Sequence, residues 1–96
     1  MQKELIVKWK IKETETAGVL SLLSELAAET KKEKGNLYYA IYQSETDANE
    51  LILHERYADE EALDAHKNSV HYQTIVAGKI IPHLEVREVT FVKQLI

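Results

Sequence analysis

Apolar and polar residues alternate along the first dozen positions of the chain. Leu5, Val7, Trp9 and Ile11 fall on one side, and Lys8, Lys10 and Lys12 on the other. This period of two marks a strand with one face buried. The period then changes: Val19, Leu20, Leu22, Leu23, Leu26 and Ala27 recur at helical spacing from Thr14 or Thr16, either able to cap a helix start, up to Lys34-Gly35. The lysines suit the negative helix end, and Gly35 suits a left-handed residue that closes it. Leu37, Tyr39 and Ile41 next alternate with Tyr38, Ala40 and Tyr42, and the polar SETDANE run turns the chain toward Leu51, Ile52 and Leu53. That pattern predicts a hairpin with an extended turn.

Asp59-Glu60-Glu61 is an acidic helix start that leads through Ala62, Leu63, Ala65 and His66. Ser69 can cap a second short helix carrying Tyr72, Ile75, Val76 and Ile80. Pro82 stops that helix, and Val86, Val89, Phe91 and Val92 form a last strand. The order strand, helix, strand, strand, helix pair, strand predicts an α+β fold, the ferredoxin-like split βαβ arrangement with an antiparallel sheet. Helices cover only one face of such a sheet, yet strands two and four carry apolar groups on both. The second face is therefore expected to pack against another copy, giving a homodimer.

Composition adds bounds. With 96 residues and 45% apolar content, positions 1–96 fit one small domain. A domain of this size buries only about 60–65% of its unfolded surface, which favours oligomerisation. The absence of cysteine excludes a disulfide framework, a thiolate nucleophile and thiolate-held zinc or iron–sulfur clusters. The net charge of −4, with lysines separated by acidic residues, argues against a nucleic-acid partner, and the Lys8, Lys10, Lys12 row reads as solvated edge protection. The N-terminus alternates charged and apolar residues, so neither a signal peptide nor a membrane span is expected, and a soluble, cytoplasmic protein is.

Candidate chemistry is concentrated between His54 and Tyr72, where three of the four histidines fall. His66 follows Leu63 by three positions and should point inward. As a neutral imidazole, with an ordinary pKa near ~6.5, it can take a proton from a bound hydroxy-aromatic or enolisable dione. His71 and Tyr72 open the second short helix, where outward N–H groups and the Tyr72 hydroxyl can hold a substrate oxyanion. Glu55 and Tyr57 share a strand face. Glu55 can orient His66 or, alternatively, pair with a lysine across the sheet. Trp9, Tyr39 and Phe91 can wall a planar substrate, and Asn36 can bind a substrate carbonyl or shape a turn. No HExxH or facial-triad spacing is present, so no metal is expected. His83, beside Pro82, is expected at the surface.

The strings Glu55-Arg56-Tyr57, Ala62-Leu63-Asp64-Ala65-His66 and Ser69-Val70-His71-Tyr72 resemble the pattern ExW…alxaHxxsxHf of antibiotic biosynthesis monooxygenase domains. Glu33-Lys34-Gly35-Asn36-Leu37 is similar to the family's "ePGclxy" step. The resemblance covers nearly the whole chain. It implies a protomer that dimerises sheet to sheet into an α+β barrel, with a pocket between helices and sheet. One fold hosts several chemistries in this superfamily: cofactor-free oxygenation of quinols and aromatic polyketides, haem degradation, and processing of a phosphorylated quorum signal. The haem-degrading branch matches poorly, because its helical tryptophan falls near His66 and its iron-ligating histidine near Val76. Tyr57 stands where the family has tryptophan.

The reading that follows is a cofactor-independent monooxygenase of a small quinol or phenol. His66 is its base, Glu55 the group that orients it, and His71 and Tyr72 its oxyanion donors. Trp9, Asn36, Tyr39, Tyr57 and Phe91 are its binding residues, and O2 is its co-substrate. Asn36 and Tyr72 also match residue types of the phosphorylated-autoinducer enzyme. The alternative is therefore an isomerase or degradation enzyme for a phosphorylated dione, with Lys67 or Arg56 on the phosphate. A non-catalytic dimer that binds a small ligand is the third reading.

Overall fold

The computed structural model describes all 96 residues. Four strands, β1 (Lys3–Ile11), β2 (Asn36–Gln43), β3 (Glu50–Tyr57) and β4 (Leu84–Val92), form one antiparallel sheet in the order β2-β3-β1-β4. Helices α1 (Thr16–Leu20), α2 (Leu23–Lys31), α3 (Glu60–Lys67) and α4 (Tyr72–Ile80) join them. This is the ferredoxin-like α+β arrangement expected from the element order. Leu5, Val7, Trp9 and Ile11 of β1 are buried, as are Leu51, Leu53, Glu55 and Tyr57 of β3. They meet Val19, Leu26, Leu63, Ile75, Val76 and Ile80 from the helices in one core. No helix is long and apolar enough to cross a membrane.

The first helix is broken where the pattern predicts continuity. Ser21 Oγ donates to Gly18 O at 2.6 Å, the back-bonding that bends helices, and the chain restarts at Leu23. Neither Thr14 nor Thr16 caps it. Thr16 Oγ1 instead donates to Asn49 Oδ1 and ties the helix start to the β2–β3 turn. By contrast, Asp59 accepts from Ala62 N–H at 2.8 Å and caps α3. Ser69 Oγ accepts from Tyr72 N–H at 3.1 Å where the next helix begins. That helix is wound wider than an α-helix, with Ile81 N–H bonding back five residues to Val76 O. Its apolar spacing, at three, four and eight, had suggested an ordinary turn.

Gly35 does not take the left-handed conformation expected of it, since no residue of the chain has a positive φ. It is needed for room. A Cβ at Gly35 would collide with Ala62 Cβ, and Gly35 O accepts from Ala58 N–H at 2.9 Å, so the turn before β2 is pressed against the start of α3. Gly35→Ala is expected to cost about 1–3 kcal/mol by overpacking. That should lower the melting temperature by on the order of 10 °C. The double variant Gly35→Ala/Ala62→Gly should recover part of the loss. A melting curve for the single variant that matches wild type would refute the contact.

The face of the sheet away from the helices carries Ile6, Ile52, Tyr38, Tyr42 and Val92, the last three 37, 51 and 38% exposed. On it His54 Nε2 bonds Glu4 Oε2 at 2.6 Å, and Arg56 lies over the Tyr38 ring.

Candidate active site

Between the inner sheet face and the helices lies a cavity of about 260 Å³, with Trp9, Tyr39, Glu55, His66, Tyr72 and Phe91 in its wall. Period-two alternation aims the strand residues into it, and helical spacing brings His66 in beside Leu63. His66 is 4% exposed. Its ring is edge-on to Tyr72 at 5.2 Å between centroids, and lies 5.1 Å from Tyr57 and 6.1 Å from Tyr39.

What orients His66 is Glu33, in the turn after α2. His66 Nδ1 lies 2.7 Å from Glu33 Oε2, and His71 Nε2 lies 2.5 Å from the same oxygen. A carboxylate only accepts, so Nδ1–H of neutral His66 donates to it, and the bare Nε2 faces the cavity. Burial holds the His66 imidazole below its ordinary pKa, with Glu33 partly opposing, which keeps Nε2 available as a proton acceptor near neutral pH.

Glu55 stands on the far side, its Oε1 3.8 Å from His66 Nε2. That is too long for a hydrogen bond. Its partner is Tyr57, whose hydroxyl donates to Oε1 at 2.7 Å. The expected cross-sheet lysine is absent, because the residues opposite Glu55 are Leu5 and Tyr39. Burial pushes the Glu55 carboxyl up to about 7, against the Tyr57 hydrogen bond, so near neutral pH it is a mixture of acid and carboxylate. Burial raises the Tyr39 and Tyr57 phenols as well, and both stay protonated.

Trp9, Tyr39, Phe91, Glu55, His66 and Tyr72 thus come together, while three other expected residues do not reach the cavity. Asn36 donates to Tyr38 O at 3.2 Å, a turn role. Tyr57 is fully buried, spends its hydroxyl on Glu55 and is outside the cavity lining. His71 is held by Glu33 and lines a separate surface cleft with Glu25, Glu29 and Lys79. The outward N–H expected of Tyr72 is also taken, by Ser69 Oγ. Of the two suggested phosphate ligands, Lys67 lines the cavity, and Arg56 lies on the opposite sheet face.

Sequence reasoning missed Glu33 and Arg87. Arg87 Nη2 donates to Tyr72 Oη at 3.4 Å on the cavity side. The signal for Glu33 was its place in the Glu33-Lys34-Gly35 step, read as a helix end. The ligand atoms of Glu33, His66 and His71 lie within 4.8 Å of one another. Ligands on one zinc ion, at bonds of ~2.0–2.1 Å and tetrahedral angles, are separated by about 3.4 Å. The observed contacts are those of hydrogen bonds, and holding an ion would require both imidazoles to draw back from the shared Glu33 oxygen.

Residues 4–78 match the family model for antibiotic biosynthesis monooxygenase. A crystal structure of an antibiotic biosynthesis monooxygenase superposes with a TM-score of 0.91 at 26% identity, covering 99% of both chains. Rv0793 of Mycobacterium tuberculosis, which bears the name "Putative monooxygenase", is 42% identical over 52 residues, 54% of this chain and 50% of that protein. The alignment thus spans half of that relative's length. The structure of Rv0793 superposes with a TM-score of 0.88 at 28% identity, covering 99% of this chain and 96% of that one. YcnE of Bacillus subtilis, also named "Putative monooxygenase", is 28% identical over 68 residues, 71% of this chain and 72% of its own. A match across most of the chain, carried by the segment that holds Glu33, Glu55, His66 and His71, places this protein in the antibiotic biosynthesis monooxygenase family.

Proposed function

We propose that the chain is a monooxygenase of small quinols or phenols that works without flavin, haem or metal. The observation that carries this reading is the bare Nε2 of His66, anchored from behind by Glu33 and facing a cavity walled by Trp9, Tyr39 and Phe91. A volume of about 260 Å³ lies just below the usual range of ligand pockets, which suits one or two fused rings. His66 takes the hydroxyl proton, and the Tyr72 hydroxyl, bonded by Arg87, stands where it can donate to the phenolate oxygen. The electron-rich anion then reduces O2 itself. One oxygen atom enters the ring, the other leaves as water with the protons released, and the substrate supplies both electrons. The apolar wall excludes bulk water from the intermediate.

The uncovered sheet face, with Ile6, Ile52, Tyr38, Tyr42 and Val92, is the surface through which two protomers pair. A second reading, enolisation of a phosphorylated dione by the same base, is favoured by Lys67 in the cavity wall.

The test is oxygen consumption by metal-stripped protein with a panel of quinols and phenols, followed by mass spectrometry of products formed under 18O2. One labelled atom per product is expected. Uptake no faster than the uncatalysed reaction across the panel would sink the oxygenase and shift the weight to the dione enzyme or a binding dimer.

A further inference from the structure

The polar groups in the cavity wall are unevenly matched. Lys67 and Arg87 can only donate hydrogen bonds. Neither forms a salt bridge, and Glu55 is the one carboxylate that lines the cavity with them. Trp9 also only donates, and its Nε1, in a residue 3% exposed, has no partner. That atom is itself inaccessible, so the polar groups a ligand can reach are those of Lys67, Arg87, Tyr72, His66 and Glu55. Against the two cations stand one lone pair on His66 and the carboxyl of Glu55, which burial keeps partly protonated and already accepts from Tyr57. The cavity thus carries two cations against one partly protonated carboxyl, in an otherwise largely apolar wall.

We propose that the physiological substrate is an aromatic hydroxy acid anion, its ring in the apolar cavity and its acidic group held by Arg87 and Lys67. This deepens the function proposed above and rests on it. The base takes the hydroxyl, and the two cations of the same lining take the acidic group. The hydroxyl reaches His66 Nε2, and the acid stays at the side where Arg87 and Lys67 are exposed to solvent. Keeping a charged group there avoids the cost of burying it, and the Arg87 guanidinium can bind it with two parallel hydrogen bonds. A carboxylate and a phosphate share this chemistry.

Equilibrium dialysis with 1-naphthol, 4-hydroxy-1-naphthoate and 4-hydroxy-1-naphthyl phosphate distinguishes them. Wild type is expected to bind one or both anions about tenfold or more tightly than the neutral naphthol. Arg87→Met and Lys67→Met should each reduce that preference severalfold, and raising the salt should weaken the anions alone. Lys79→Met, in the separate cleft, should change nothing. Preference for the hydroxynaphthoate assigns a carboxylate, and preference for the phosphate ester assigns a phosphate. Equal affinity for naphthol and both anions, or a preference untouched in both methionine variants, overturns the inference while leaving the phenol site standing. Failure of all three to bind overturns both the site and its anion specificity.

Discussion

Replacing His66 by alanine is expected to lower the rate of oxygen consumption by about 10²–10⁴-fold, the usual contribution of a positioned base. The loss should fall on kcat more than on KM, because the cavity walls that bind the ring are untouched. The alanine variant also leaves Glu33 without one of its two partners, so His66→Gln is the companion experiment: it can still donate to Glu33 and cannot accept the proton as imidazole does. Both variants should fold and both should be slow. In wild type the rate should be level near neutral pH and fall on acidification below the ordinary histidine value of ~6.5, since burial lowers the His66 pKa and only the neutral ring is a base. Retention of more than about a tenth of the activity in both variants, with kcat/KM unchanged between pH 5 and 8, would remove His66 from the chemistry.

Glu55→Gln is expected to make the protein more stable in alkaline solution and to leave it nearly unchanged in acid. The folded carboxyl has a pKa of about 7, raised by burial from 4.5. Between those values the folded state binds more protons than the unfolded one, so stability falls as pH rises from about 4.5 and the full penalty is present above 7. A shift of this size corresponds to roughly 3 kcal/mol. Glutamine keeps an acceptor for the Tyr57 hydroxyl and has no charge to bury, so the variant should lack the alkaline loss. Urea unfolding at pH 5, 7 and 9 measures it: the gap between variant and wild type should widen from near zero to a few kcal/mol. A gap that stays constant across the three values would show that Glu55 is ionised in the folded protein throughout.

The strands and their order were legible because each carries its own period of two, and β1 and β3 are inward and outward residue by residue. The acidic start of α3 was legible too, since Asp59 is a cap whose partner lies three residues away. What could not be read depends on contacts distant along the chain. Ser21 bends the first helix by choosing a carbonyl over solvent, a choice its neighbours do not dictate. Glu33 meets His66 only after the intervening hairpin has folded back. Glu55 took Tyr57 as partner because the sheet register set Leu5 and Tyr39 opposite it. His71 carries the right chemistry for an oxyanion donor, but the shared Glu33 oxygen turns it away from the cavity.

The contact between Gly35 and Ala62 divides the walls of the site into two kinds. On one side Glu33 lies two residues before Gly35 and His66 four after Ala62, so the base and its anchor are spaced by a gap with no room for a single added carbon. On the other side Arg87, Val89 and Phe91 of β4 are substantially exposed, the last two at 39 and 55%, and can change size or charge at little expense to the core. Descendants of this sequence can therefore diverge in what they accept by altering one edge strand, while the base and its anchor are inherited unchanged from the opposite wall.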